Sequence, residues 1–339
     1  MDYRSEAPQV LRDFLTYHET IKGHSRATVD EYYLDLRNFF RYMKIIRGLV
    51  PRDTELEDVS ISDVDLDFAA SVKTSEIYEY LAFLSRDKVK NEQSRSPEYG
   101  LNAASRARKI STLRSFYKYL TVKTKQIESD PVAVLDTPKK VKALPRYLSL
   151  NEAERLLSSV DGKFRERDYC IICLFLNCGL RISELIGLDL GDIREDSLRV
   201  LGKGGKERIV YLNGACLAAI EDYKPLRAAW AAPGCRAFFV SSRHQRMSRD
   251  AVHHMLKEAF LKAGLDPSRY SAHKLRHTAA TLMLQNGVDV RTVQEVLGHT
   301  NLNTTQIYTH IDNAELHIAA EANPLGRFVP DSGKAEGEK

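Results

Sequence analysis

The sequence predicts a mainly α-helical protein of two domains: a wholly helical N-terminal domain, then a mixed α/β domain whose helices surround one small antiparallel β-hairpin. Three observations predict it. Apolar residues recur through most of the chain at the three-and-four spacing of one buried helix face. A single stretch, "SLRVLGKGGKERIVYLN", alternates instead toward β on either side of a Gly-rich turn. Between the two helical regions lies "DTPKKVKALPRYLS" (136–149), with two prolines, four basic residues and no periodicity.

In "SRATVDEYYLDLRNFFRYMK" the buried face is Val29, Tyr32, Leu36, Phe39 or Phe40, and Met43. The acidic, aperiodic "RDTELEDVSISDVDLD" (52–67) reads as a surface connection, and a further helix follows around "SEIYEYLAFLSRD". "NAASRARKISTLRSFYKYLTVK" packs Ile110, Leu113, Phe116, Tyr117 and Leu120 on one side. Arg106, Arg108, Lys109, Arg114 and Lys118 lie mostly on the rest of that helix, which suits DNA phosphates and suits an ordinary solvated face equally. Ser149 and Glu152 form an S-x-x-E capping box opening "NEAERLLSSV". The domains accordingly run 1–135 and 148–322, joined by a linker at 136–147.

The second domain continues through the apolar "YCIICLFLNCGL", then "RISELIGL", then two short strands joined at Gly202–Gly205. Helices resume at "SRDAVHHMLKEAFLKAG", capped by Ser248, and continue through "AHKLRHTAATLMLQNG" and "DVRTVQEVLGH". From 323 to 339 the chain is rich in Pro, Gly and charge, which predicts a flexible, fraying tail.

The 339 residues are 43% hydrophobic and 28% charged, a soluble globular balance long enough for two cores. "IICLFL" is far too short to span a bilayer and no charged-then-apolar leader is read, so a cytoplasmic, nucleoid-associated protein is expected. Cys170, Cys173, Cys178, Cys216 and Cys235 show no disulfide framework; the C-x-x-C at 170–173 lacks a second ligand pair and reads as small core residues. Net charge is only +4, but residues 101–150 carry eleven Lys or Arg against three Asp or Glu, while 51–100 carry six against twelve. A polyanion-facing surface backed by a solvated one would look like this, and so would two ordinary charged surfaces.

Four segments bear on chemistry. "CGLRISEL" sets Arg181 at the end of an apolar helix, with Glu184 three residues on as a possible ion-pair partner. "LGKGGKER" carries Lys203 on a hairpin tip; without a Ser or Thr after the lysine, or a helix, it is no phosphate-binding P-loop, and a solvated turn lysine is the plain alternative. "SAHKLRHTAATL" holds His273, Arg276 and His277; the four-residue His spacing invites zinc, but lysine replaces the glutamate of H-E-x-x-H and Arg276 opposes a divalent ion, so no metal is expected. "LGHTNLNTTQIYTH" presents His299 just after Gly298, a helix-ending glycine, and Tyr308 nine residues later.

Taken in order, "CGLRISEL", "GKGGKER", "AHKLRHTAAT" and "LGHTNLNTTQIYTH" resemble the tyrosine recombinase (phage integrase) family over nearly the whole chain, its Xer-like branch above all. The resemblance implies a core-binding, SAM-like helical domain followed by a catalytic domain, which together clamp a DNA duplex. It implies Tyr308 as nucleophile, forming a 3′-phosphotyrosyl link and freeing a 5′ hydroxyl. Arg181 and Arg276 would bind the phosphate, and His273 would be the general acid/base. Lys203 would protonate the departing oxygen, His299 would hydrogen-bond the phosphate, and Glu184 would support them.

Two guanidinium forks suit a transition state whose negative charge is spread over non-bridging oxygens. A phenol of ordinary pKa about 10 needs such a positive field or a base to attack at neutral pH. One ester is exchanged for another, so no ATP is expected, and the cationic and basic groups take the charge a metal would otherwise neutralise, so no metal cofactor is expected. The implied partners are a double-stranded recombination site and a homotetramer, or a heterotetramer with a paralogous recombinase, exchanging strands through a Holliday junction. A DNA translocase or accessory protein is a further possible partner. "DNAELHIAAEA" resembles the C-terminal helix that docks into a neighbouring subunit.

Two rivals stand beside it: a type IB topoisomerase, with nearly the same residues, and a non-catalytic DNA-binding regulator built on the helix-turn-helix texture of "LMLQNGVDVRTVQEVLGHTN". The second leaves Arg181, Lys203 and Tyr308 without a purpose. Arg106, Arg108, Lys109 and Arg249 are the candidate DNA contacts, and the target sequence is not legible.

Overall fold

The computed structural model describes residues 6–51, 53–89, 98–136, 147–202, 205, 207–298, 318 and 322–327. The chain folds as two compact units, Met1–Ala143 and Leu144–Lys339.

The described α-helices of unit 1 are α1 (Gln9–Thr16), α2 (Arg26–Ile46), α3 (Leu66–Ala70), α4 (Thr74–Arg86) and α5 (Ala103–Lys118). Three of these starts have a side-chain cap. Ser25, Asp65 and Asn102 each accept the backbone N–H three residues on, satisfying donors that a helix start leaves orphaned. The predicted face of α2 is buried, with Leu36, Phe39, Phe40 and Met43 packed with Phe14, Phe116 and Tyr117 in one core. The acidic connection is irregular as expected over 53–65 and runs into α3, yet it is anchored: Val59, Ile61 and Val64 are buried, and Asp63 meets the buried ammonium of Lys44 at 2.7 Å.

The basic side chains of α5 meet carboxylates and a hydroxyl on other helices. Asp35 of α2 is buried, and its carboxylate accepts Arg108 at 2.7 and 3.0 Å, Lys109 at 2.7 Å and the Thr112 hydroxyl at 2.9 Å. Arg108 also pairs with Glu31 at 2.7 Å, and Arg106 donates to the Ser85 hydroxyl. Lys109 therefore belongs to the unit 1 core rather than to a surface that a duplex could meet, and Arg106 and Arg108 are engaged in holding α5 to α4 and α2. Apolar periodicity marks which side of α5 packs. It says nothing of a carboxylate on another helix that draws the basic side chains inward.

Unit 2 is built around α7 (Arg165–Cys178), buried on nearly every side from Cys170 to Cys178. It is preceded by α6 (Leu150–Ser158), which opens on the predicted capping box: Glu152 accepts the Ser149 backbone N–H at 2.8 Å and Ser149 accepts the Glu152 N–H at 3.3 Å. After α8 (Ile182–Gly187) come the antiparallel strands β1 (Ser197–Leu201) and β2 (Glu207–Tyr211), with Ser197 opposite Tyr211 and Leu201 opposite Glu207. Then follow α9 (Gly214–Trp230), α10 (Arg249–Lys262), α11 (Ala272–Gln285) and α12 (Val290–Leu297).

Cys170 and Cys173 are core residues, as read, and Cys178 and Cys216 join them, while Cys235 is only partly buried. Cys216 of α9 lies 3.9 Å from Cys173 and 3.7 Å from Cys178, sulfur to sulfur, all three free thiols. No described helix is long and apolar enough to cross a membrane.

The expected flexible tail is corrected at its start. Pro324–Arg327 form a 3₁₀ turn with Leu325 fully buried, and the buried Asn323 donates to the Leu176 carbonyl at 2.9 Å. One leucine in a polar, Pro- and Gly-rich stretch is too faint a signal to reveal that contact. Removing the Asp35 carboxylate would strand a buried ammonium, a change that costs about 3 kcal/mol or more. Asp35→Ala is expected to lower urea stability by that order, read by far-UV circular dichroism, whereas a loss below about 1 kcal/mol would mean the cluster is loosely solvated.

Candidate active site

The site grows out of two helix ends. Apolar α7 stops at Gly179, whose φ of 58° is left-handed, and Gly298 ends α12 in the same way at 63°. A side chain at either position would also crowd a neighbouring side chain. A Cβ on Gly179 would come within 2.4 Å of Leu297 Cδ2, and one on Gly298 within 3.0 Å of the Arg208 side chain. The two helix ends therefore bring their last carbonyls, which have no partner inside the helix and carry the negative end of its dipole, close to the same arginines.

Three guanidiniums take those carbonyls. Arg276, only 4% exposed on α11, donates to the Gly179 carbonyl at 2.6 Å and to that of Leu297. Arg181, in extended conformation just before α8, donates to the Gly298 carbonyl at 3.0 Å. Arg208 of β2 donates through Nε to the Val296 carbonyl at 3.3 Å.

All three also address one carboxylate. Glu184 Oε1 accepts Arg181 Nη1 at 2.8 Å and Arg208 Nη1 at 2.7 Å; Oε2 accepts the Arg181 backbone N–H at 2.8 Å and Arg208 Nη2 at 3.0 Å. Arg276 Nη1 stands 3.8 Å from Oε2. Burial alone would raise the Glu184 pKa, but the hydrogen bonds from Arg208 and Arg181 outweigh it and hold the carboxyl below the usual range. Burial first, and then the charge of Arg181, push Arg276 down to about 10, which leaves it cationic at neutral pH. Three cations against one anion leave the cluster positive, and Arg181, with a third of its side chain exposed, opens it to solvent.

His273 stands two residues into α11 with its Nε2 at 3.1 Å from Nε2 of His277, ring centroids 4.5 Å apart. Desolvation first, then Arg276, Lys274 and Arg181, lower the His273 pKa; desolvation and then His273 lower that of His277. Both imidazoles are thus kept neutral near pH 7. Among the described residues no group of three or more His, Cys, Asp or Glu could hold a metal ion.

Arg181, Glu184, His273 and Arg276 therefore come together from segments almost a hundred residues apart. Lys203, His299 and Tyr308 lie outside the described residues, as does the segment expected to dock into a neighbour, apart from Ile318 and Ala322. Arg249 is exposed in the first turn of α10. Arg208 was missed by sequence reasoning, although it sits within "GKGGKER". A charged residue at mid-strand, opposite the buried Val200, was the available signal.

Residues 146–315 match the model of the phage integrase family, and residues 11–124 match that of the phage integrase N-terminal SAM-like domain. The chain is 47% identical over 321 residues to the tyrosine recombinase XerC of Caldanaerobacter subterraneus subsp. tengcongensis, covering 94% of this chain and 88% of that one. It is 33% identical over 314 residues to XerD of Listeria monocytogenes, covering 91% and 95%. Among solved structures it resembles the XerH site-specific recombinase bound to its difH substrate, with a TM-score of 0.59 at 23% identity, over 91% of this chain and 84% of that one. It also resembles a lambda integrase tetramer bound to a Holliday junction, with a TM-score of 0.57 at 19% identity, over 89% and 80%. These two likenesses show the fold.

The lowered imidazole values carry a sign. A histidine whose folded pKa lies below its unfolded value stabilises the fold above about 6.5, and that contribution is lost as pH falls through the folded value. NMR titration of the full chain is expected to find His273 and His277 both titrating below 6.5; a midpoint at or above 6.5 for His273 would contradict the electrostatics described.

Proposed function

The chain belongs to the phage integrase family of tyrosine recombinases, and from that premise we propose how its residues divide the work of breaking and rejoining DNA strands at a specific site. Arg181 and Arg276 hold the non-bridging oxygens of the scissile phosphate. The Tyr308 oxygen attacks phosphorus in line, the bond to the 5′ oxygen breaks, and a 3′-phosphotyrosyl link forms. The phenolic proton passes to His273, and Lys203 supplies the proton that leaves with the 5′ hydroxyl. Attack by a 5′ hydroxyl from the partner strand then reverses every bond change, so the tyrosine is regenerated and no external energy is consumed. His299 hydrogen-bonds the phosphate during both steps.

The observation that carries this reading is the convergence of Arg181 and Arg276 on one buried carboxylate with His273 on the same helix as Arg276. Permanently charged forks fixed before substrate arrives stabilise developing charge without having to reorganise, which is where enzymes of this kind gain most. A neutral imidazole beside them is in the right state to accept a proton.

A tetramer, of one recombinase or of two paralogues, on two synapsed sites would pair the exchanges through a Holliday junction. The match of residues 11–124 to the SAM-like domain of integrases favours recombination over topoisomerase-type relaxation. Whether the site lies on the chromosome, a plasmid or a mobile element follows from the DNA the enzyme captures.

Tyr308→Phe tests the assignment. Incubated with a genomic DNA library, the parent chain is expected to form denaturant-resistant adducts whose protein-linked 3′ ends sequence to one site. The variant should bind that site with its affinity unchanged within about 3-fold, yet form no adduct, a loss of at least ~10⁴-fold. Adducts that persist in Tyr308→Phe would remove the tyrosine from its role.

A further inference from the structure

We propose that Arg208, which no family assignment above includes, is a positioning residue: it saturates the Glu184 carboxylate so that Arg181 and Arg276 keep their free faces for the scissile phosphate. The inference rests on the recombinase reading and deepens it. Arg208 is the strongest partner of Glu184 by geometry, a two-pronged pair at 2.7 and 3.0 Å, and its third nitrogen is fixed on the Val296 carbonyl. Every polar group of its guanidinium for which a partner is described serves the protein, and its side chain is 16% exposed against 35% for Arg181. With all three nitrogens engaged by Glu184 and Val296, it is placed to hold the carboxylate on which Arg181 and Arg276 converge.

What it holds follows from competition for one carboxylate. A buried carboxylate must be met by donors or its desolvation goes uncompensated. Glu184 has lone pairs for about four donors, and Arg208 takes two of them. Arg181 fills two more through one guanidinium nitrogen and its backbone N–H, and Arg276 waits at 3.8 Å, outside hydrogen-bond range. With Arg208 gone, two vacant positions on an anion face two remaining forks, one already bound to it and one 3.8 Å away. Arg276 would close the gap and Arg181 would turn its second nitrogen inward, off the Gly298 carbonyl. Both would then bind an internal anion instead of the DNA phosphate.

Arg208 also ties three segments together: strand β2, the Glu184 turn of α8 and the last turn of α12, against whose terminal Gly298 it packs so closely that a Cβ there would meet it at 3.0 Å. The same contact thus ties the hairpin that carries Lys203 in sequence to the segment that leads into His299.

A double-variant cycle on the full chain separates this role from plain structural support. Arg208→Ala is expected to slow adduct formation ~100-fold on the captured DNA site, with duplex affinity changed less than ~3-fold and weaker binding of orthovanadate, a phosphoryl transition-state mimic. Replacing the competing charge in Arg208→Ala/Glu184→Gln should restore at least ~10-fold of that rate, a non-additive result, and Arg208→Lys should restore part of it. Additive losses in the double variant, or wild-type cleavage and vanadate affinity in Arg208→Ala, would overturn the inference. Were the parent chain to cleave no DNA, the recombinase reading would fail while vanadate affinity across the same four proteins still decided the role of Arg208.

Discussion

One carboxylate organises the active half of this molecule. Glu184 is a buried anion on a six-residue helix, and by itself it would be a defect in the core. It becomes a hub because Arg181 precedes it by three residues, Arg208 arrives from the hairpin and Arg276 from α11. Each guanidinium is in turn fixed by a carbonyl at the end of α7 or α12. The hub therefore decides where the cations of unit 2 point, and cations in fixed positions are what stabilises the charge of a phosphoryl-transfer transition state.

The arrangement also explains how three like charges coexist in a small volume. Replacing a buried ion network with apolar side chains is often neutral or stabilising, so the network is weak evidence of a gain in stability. What it supplies is position: planar forks held at two or three atoms cannot rotate, and the negative ends of two helix dipoles offset charge that Glu184 alone would leave unbalanced. Asp35 plays the corresponding part in unit 1, where one buried carboxylate fixes Arg108 and Lys109 and so sets α5 against α2. There the outcome is structural. In unit 2 the same physics leaves an excess of positive charge and an arginine open to solvent.

The elements whose causes are local were legible in the sequence. The Ser149–Glu152 box, the Ser248 cap, the face of α2 and the Gly-rich hairpin depend on residues within a few positions of each other. Arg181, Glu184, His273 and Arg276 were legible through family motifs, and the structure brings them together. Lys109, Arg208 and Leu325 escaped because their partners, Asp35, Glu184 and the α7–α9 core, lie far away along the chain. A basic residue is read as exposed unless its counter-charge is visible nearby, and in this fold the counter-charges are on other helices. Gly179 and Gly298 show the intermediate case: their place at helix ends was readable for Gly298, while the side chains that a Cβ there would crowd are supplied by tertiary contact.

The ionisation of Glu184 in the unliganded protein tests the central claim most directly. Carbon-13 NMR of its side-chain carboxyl across an acid titration should give a midpoint below the ordinary glutamate value of 4.5, because the arginine hydrogen bonds outweigh burial. The stability it contributes would then be present above about 4.5 and lost as the pH falls through that lower midpoint. A midpoint at or above 4.5 would mean a protonated, unclamped acid in a desolvated pocket, and the account of how the arginines are held would be contradicted.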